Sequence, residues 1–269
     1  PPRFVPFLTR SDEAIVSIKI PRHIERRQAH PGMDLYDYVV SLYADDLVVL
    51  ERDGEDIAEH TMAYTDIKHL RVDEELLRGR LRLALHGNAF ELPYNTVSAE
   101  VIARLVAIIR ERYARPAAVA RPADDLDLGA DELSFYFDRL LRAERASTSG
   151  MQALAAQAET SLGEVDSSWL RRAIYGVVRK RLLETLWLCD GRELKIIDRG
   201  STYGYRWQST YGTGISYLPV ANLETVHWKD GGAGLTGLRL GSGGGRLDYA
   251  FSGGNETVPT LRRYLDGLA

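Results

Sequence analysis

Cysteine is almost absent from this sequence, with only Cys189 among 269 residues. That excludes an intramolecular disulfide and a cysteine-rich zinc site, and it fits a reducing cytoplasm. A charge surplus is missing too. The net charge is −4, with −3 over residues 1–115, −1 over 116–183 and 0 over 184–269. A general nucleic-acid binder would carry a basic excess to neutralise phosphates, so no nucleic-acid partner is expected. No apolar run approaches the ~18 residues that span a bilayer. The opening Pro1-Pro2-Arg3-Phe4-Val5 lacks the charged-then-apolar layout of a secretory signal. A cytoplasmic location is therefore expected, with contact at the inner membrane face as a second reading.

Catalytic signatures are equally scarce. The six histidines, His23, His30, His60, His69, His86 and His227, fall in no metal-ligand spacing. Neither a GxSxG nucleophile elbow nor a GxxxxGK[ST] phosphate loop occurs. The glycine runs 231–234 and 241–245 do not lead into helices, so they read as hairpin turns rather than phosphate cradles. Asp45-Asp46 and Asp124-Asp125 read as surface carboxylates, since neighbours on a strand point to opposite faces. Cys189 beside Asp190 reads as a small buried hydrophobe. No catalytic residue, metal or cofactor is expected.

The chain does hold a theme stated twice. With 45% hydrophobic residues it can bury a sizeable core and is long enough for two domains. Ala14-Ile15-Val16-Ser17-Ile18-Lys19-Ile20 and the stretch 35–43 read as strands, and Leu47-Val48-Val49-Leu50 follows a turn at Ala44-Asp45-Asp46. The runs 81–85 and 89–92 flank His86-Gly87-Asn88, a hairpin signal. Beyond Asn95 the period changes: Val97, Val101, Ile102, Leu105, Ile108 and Ile109 fall three and four apart and predict a helix with one buried face. A glycine-richer version returns with strands at 186–190, 193–197, 216–220, 235–240 and 246–251. A closing helix follows, with Pro259 in its first turn and Leu261, Tyr264, Leu265 and Leu268 on one face.

The two units are separated by a Pro/Ala-rich spacer and a helical region. Leu133, Phe137, Leu140 and Leu141 share a helix face, 151–158 is composed of strong helix formers, and Asp166-Ser167-Ser168 could cap a helix from Trp169, so three helices are expected within 130–184. The expected domains are 1–115, a linker 116–130, a helical connector 131–184 and a second domain 185–269.

Two stretches invite recognition. The first, from Ser201 to Gly214, carries Tyr203, Tyr205, Arg206, Trp207 and Tyr211 among glycines. It suits a recognition edge, or equally a long hairpin whose alternate aromatics pack. The second is the basic run with Arg171, Arg172, Arg179, Lys180 and Arg181, readable as a solvated helix face or as a contact for anionic lipid.

Residues 42–50, Met62-Ala63-Tyr64-Thr65-Asp66-Ile67 with its small-Tyr-x-x-Ile spacing, and the helix from Thr96 resemble the bacterial pleckstrin-homology-like (PH-like) fold. Ile215-Ser216-Tyr217-Leu218-Pro219-Val220 occupies the corresponding place in the second copy, and the two units would cover about two thirds of the chain. The resemblance implies an α+β protein: two PH-like bent antiparallel β-barrels or sandwiches, each capped by a C-terminal helix. It also implies a binding scaffold rather than an enzyme, with a protein or peptide partner and anionic lipid as an alternative. An enzyme with an unrecognised site is the remaining alternative, and self-association is open because exposed edges of small β domains pair between chains. Lipid-binding members resemble one another in a Lys/Arg cluster on the first strands. Here Lys195, Arg199 and Arg206 are interleaved with Glu193 and Asp198, a departure from that pattern. Tyr203, Tyr205, Arg206, Trp207, Tyr211, Arg171 and Arg172 are the candidate binding residues.

Overall fold

The structure is a computed structural model that describes residues 1–22, 24, 27, 30, 32–113, 122, 125–128, 133–162, 180–205, 212–232 and 234–268. It is a mixed α+β protein dominated by antiparallel sheets, and none of the four sheets closes on itself among the described residues. The first half starts with a four-stranded meander: β1 (Val16–Pro21), β2 (Tyr36–Leu42), β3 (Asp46–Asp53) and β4 (Asp56–Ala63). It continues with β5 (His69–Glu75), β6 (Arg78–Ala84) and β7 (Ala89–Asn95), and ends in helix α1 (Ala99–Tyr113). Gly87, in the β6–β7 turn, has φ +85°, the left-handed conformation that glycine adopts without penalty. The Asn95 side chain accepts from the Val97 backbone N–H and starts the helical turn.

Helix α1 buries Ile102, Leu105, Val106, Ile109 and Tyr113 against this half's core. The expected apolar face is thus rotated: Val97 is 83% exposed and Val101 47% exposed. The buried positions recur three and four apart from Ile102 onward, and the two valines fall outside that arc.

The second half holds α2 (Phe135–Ser147), β8 (Gln152–Gln157), β9 (Thr160–Ser161), β10 (Lys180–Leu182), β11 (Thr185–Cys189), β12 (Glu193–Asp198), β13 (Tyr203–Tyr205), β14 (Thr213–Pro219), β15 (Thr225–Gly232), β16 (Leu235–Ser242), β17 (Gly245–Ser252) and α3 (Val258–Asp266). Of the three helices expected in 130–184, α2 is the one described, and Lys180 and Arg181 lie on strand β10. The Asp166-Ser167-Ser168 cap falls outside the described residues.

The helix expected over 151–158 is instead strand β8. Alanine has the highest helix preference of any residue, but that preference is worth less than about 1 kcal/mol per residue, and tertiary burial overrides it. Ala153 and Ala156 pack under Phe137 and Leu141 of α2. Leu154 and Ala155 pack in the core shared with Leu261 and Leu265 of α3. A strand covered on both faces has no polar alternation, and its small side chains admit both layers. A bulge shifts the β8–β11 register between Trp187 and Leu188, pairing them with Ala155 and Ala153 and leaving Leu154 over. The extra residue explains why two successive side chains share one core.

The halves are joined through one seven-stranded sheet, ordered β7-β6-β5-β14-β12-β11-β8. Its seam is the antiparallel pairing of β14 with β5, from Thr213↔Glu74 to Tyr217↔Leu70. Further contacts reinforce it: the Gly87 N–H donates to the Gly243 carbonyl at 3.0 Å, and the Asn222 amide donates to the Lys68 carbonyl at 2.9 Å.

His69, at the start of β5, is buried near this seam, and its Nδ1 has no hydrogen-bond partner among the described residues. Burial first, and the nearby Arg71 charge second, lower its pKa from 6.5 to about 4. Below pH 6.5 the unfolded chain takes up this proton while the folded chain does not, so stability falls as the pH drops from 6.5 to about 4. At about 1.4 kcal/mol per unit, the loss amounts to at most about 3 kcal/mol. Urea titrations of the wild type and His69→Leu across this range should show the variant gaining relative stability by that amount as the pH falls. A constant difference between the two would refute the assignment.

Candidate functional site

Strand β6 alternates Arg78-Gly79-Arg80-Leu81-Arg82-Leu83. Its leucines are buried in the first half's core, which turns Arg78, Arg80 and Arg82 to the opposite face of the sheet. In register across the β5–β6 ladder, Arg82 stands opposite Arg71, Arg80 opposite Asp73 and Arg78 opposite Glu75. Gly79 sits between these arginines because Tyr94 crosses beneath it: a Cβ there would lie 2.3 Å from the tyrosine ring.

This charged face forms one wall of an open cleft of about 630 Å³. The other wall comes from the second half, with Arg199, Ser201, Tyr203 and Thr213, and Leu183 lies buried behind it. Five arginines and three acidic residues, Asp73, Glu74 and Glu75, line the cleft. Arg80 and Arg82 both meet Glu91, through Nε at 3.4 and 2.7 Å. Arg78 is exposed and makes no ion pair among the described residues.

At the back of the cleft lies a buried ionic lock. Arg71 donates from its two terminal nitrogens to the two oxygens of Asp198, each at 2.8 Å, from Nε to Asp73 at 2.8 Å, and from Nη1 to Ser216 at 2.9 Å. Asp198 also accepts from the Gly200 backbone N–H at 2.7 Å and from the Tyr249 hydroxyl at 3.3 Å. Burial alone would lower the Arg71 pKa, but the bonds to and charge of Asp198 win and raise it. Burial first, then the Asp198 charge, push Tyr249 up. The network therefore keeps both charges and holds the cleft's two walls in fixed relation.

Of the candidate binding residues, Tyr203 lines this cleft, with the Lys180 ammonium 4.6 Å from its ring centre. Tyr205 lies on the same short strand, opposite Lys180 in register, and is not part of the lining. Arg206, Trp207, Tyr211, Arg171 and Arg172 lie outside the described residues. Arg199 pairs with Glu184 at 3.2 Å and stacks over Tyr136 and Phe137. Lys195 is buried against Glu144 at 2.5 Å, so it does not join a surface cluster. The β6 arginines went unremarked in the sequence reading, although their period of two is visible there.

On the other face of the seam, a smaller groove of about 310 Å³ runs beside α1, with Ala103, Ala107, Ile215 and Tyr217 in its lining. A second lock lies at its end. Arg110 donates from Nε and Nη2 to Glu193, and Tyr113 donates to the same carboxylate at 2.6 Å.

The thiol of Cys189 is buried, contacts the Tyr264 hydroxyl at 3.1 Å and is pushed up to about 11, chiefly by burial, so it stays protonated near neutrality. Among the described residues, no three His, Cys, Asp or Glu side chains converge to hold a metal, and no helix is long and apolar enough to cross a membrane. Compared with known protein families and with curated proteins, the chain finds no match.

Proposed function

We propose that the chain is a non-catalytic binding scaffold built from two PH-like repeats, and that it receives a partner protein in the cleft at their seam. The repeat reading is supported by a similar succession in both halves, four strands, three strands, then a helix, once the second half's separate sheet β13-β10-β9 is set aside. It runs β1-β2-β3-β4, β5-β6-β7, α1 in the first half and β8-β11-β12-β14, β15-β16-β17, α3 in the second. The observation that carries the function is the cleft itself, in which the arginine face of β6 looks toward Tyr203 and Arg199. Guanidinium groups and an aromatic ring are the side chains enriched where proteins recognise one another.

Site-specific photo-cross-linking tests this reading. A benzophenone side chain placed at Tyr203, in cells that naturally produce the chain, should give a discrete protein adduct. The adduct should disappear when Arg78→Glu and Arg80→Glu are added, and a control probe on the exposed Glu59 should not form it. An adduct indifferent to the arginine changes, or none at all, would remove the cleft as the binding place.

A further inference from the structure

Resting on that reading of the cleft, we infer that its ligand is an extended polypeptide segment carrying acidic side chains at every second position. Arg78, Arg80 and Arg82 project from one face of a single strand. Side chains on one face of a strand recur at about 7 Å. An extended ligand chain has the same repeat, so carboxylates at alternate positions meet successive guanidinium groups without a change of register. A helical ligand, with its period of 3.6, would not.

The charges on this face are left open for such a ligand. Arg80 and Arg82 share the one carboxylate of Glu91, each approaching it most closely with Nε. Their terminal nitrogen pairs make no bond among the described residues, and that pair is the edge a carboxylate engages in a two-pronged bond. Their side chains are 49% and 40% exposed, so they are reachable. The acids nearby are unequal. Asp73 is held by Arg71 at 2.7 Å and directed inward, whereas Glu75 stands opposite Arg78 at the end of the ladder. Glu75 weakens the attraction at that end, leaving Arg80 and Arg82 as the principal anchors. Tyr203 on the facing wall, 37% exposed, offers its ring to the ligand's intervening side chains.

The test is fluorescence anisotropy with the full chain and two labelled peptides of identical composition. One has glutamate at every second position between serines; the other has its glutamates in a single block. The alternating peptide is expected to bind at least about tenfold more tightly, and the preference should vanish in Arg80→Ala and Arg82→Ala. Arg80→Lys should recover it only in part, because an ammonium cannot make the two-pronged bond. Both arginines are surface residues, so thermal melting should show the variants folded. Equal binding of the two peptides, a preference that survives Arg80→Ala, or displacement by pyrophosphate at the peptide's own concentration would each overturn the inference. If neither peptide binds while the Tyr203 adduct still forms, the inference falls and the partner-binding reading stands.

Discussion

Arg71→Ala is expected to destabilise the whole molecule by about 3–5 kcal/mol, because it leaves Asp198 charged, buried and without its main partner. The Asp198 side chain is only 3% exposed, and the two residues are 127 positions apart in sequence, so water and local rearrangement offer no replacement. The effect should hold at high salt, since a buried pair is screened far less than a surface one. Arg71 stands on the first half's edge strand and Asp198 on the second half's β12, so loss of the pair loosens the seam itself. Urea denaturation followed by far-ultraviolet circular dichroism and by tryptophan fluorescence provides the measurement. One transition moving to lower urea by both probes is the expected result. An unchanged midpoint would show that the lock contributes nothing to folding. The double variant Arg71→Ala, Asp198→Ala should lose less than the sum of the two single changes, as coupled partners do.

Glu193→Ala should cost about 3 kcal/mol by the same physics on the opposite face of the sheet. It removes the carboxylate from both Arg110 and Tyr113, leaving the Tyr113 hydroxyl only the Tyr217 carbonyl at 3.4 Å. That hydroxyl is deeply buried and its pKa is raised well above 10, first by burial and then by the Glu193 charge. Arg110 can turn part of its side chain to water, being 28% exposed, which makes this loss smaller than that at Arg71. Glu193→Gln keeps an acceptor for Tyr113 and should recover part of the stability. Hydrogen exchange in α1 supplies a local readout, since protection there should fall in Glu193→Ala. Unchanged protection would mean that α1 is held by its apolar face alone.

Much of the architecture was legible from local pattern. Gly87 between two alternating runs marked the β6–β7 hairpin, and Pro259 with Leu261 and Leu265 marked α3, because turn chemistry and helix capping depend on neighbours in sequence. The segment 151–158 misled for an equally physical reason. Its alanines favour a helix, and the strand exists because two layers cover it, a burial that outweighs the local preference. The candidate site was less legible. Tyr203 stood out by composition, yet the arginines opposite it lie more than a hundred residues earlier and belong to the other half.

What the sequence by itself determined is the inventory: near-neutral charge, a single cysteine, and two series of short strands each closed by an amphipathic helix. Tertiary structure alone decided that β5 and β14 pair, that the two series therefore share one sheet, and that Arg71 meets Asp198 at their seam. Periodicity fixes which face of an element a side chain occupies. Which two faces meet across the chain depends on long-range burial and charge pairing, which no local window of residues contains.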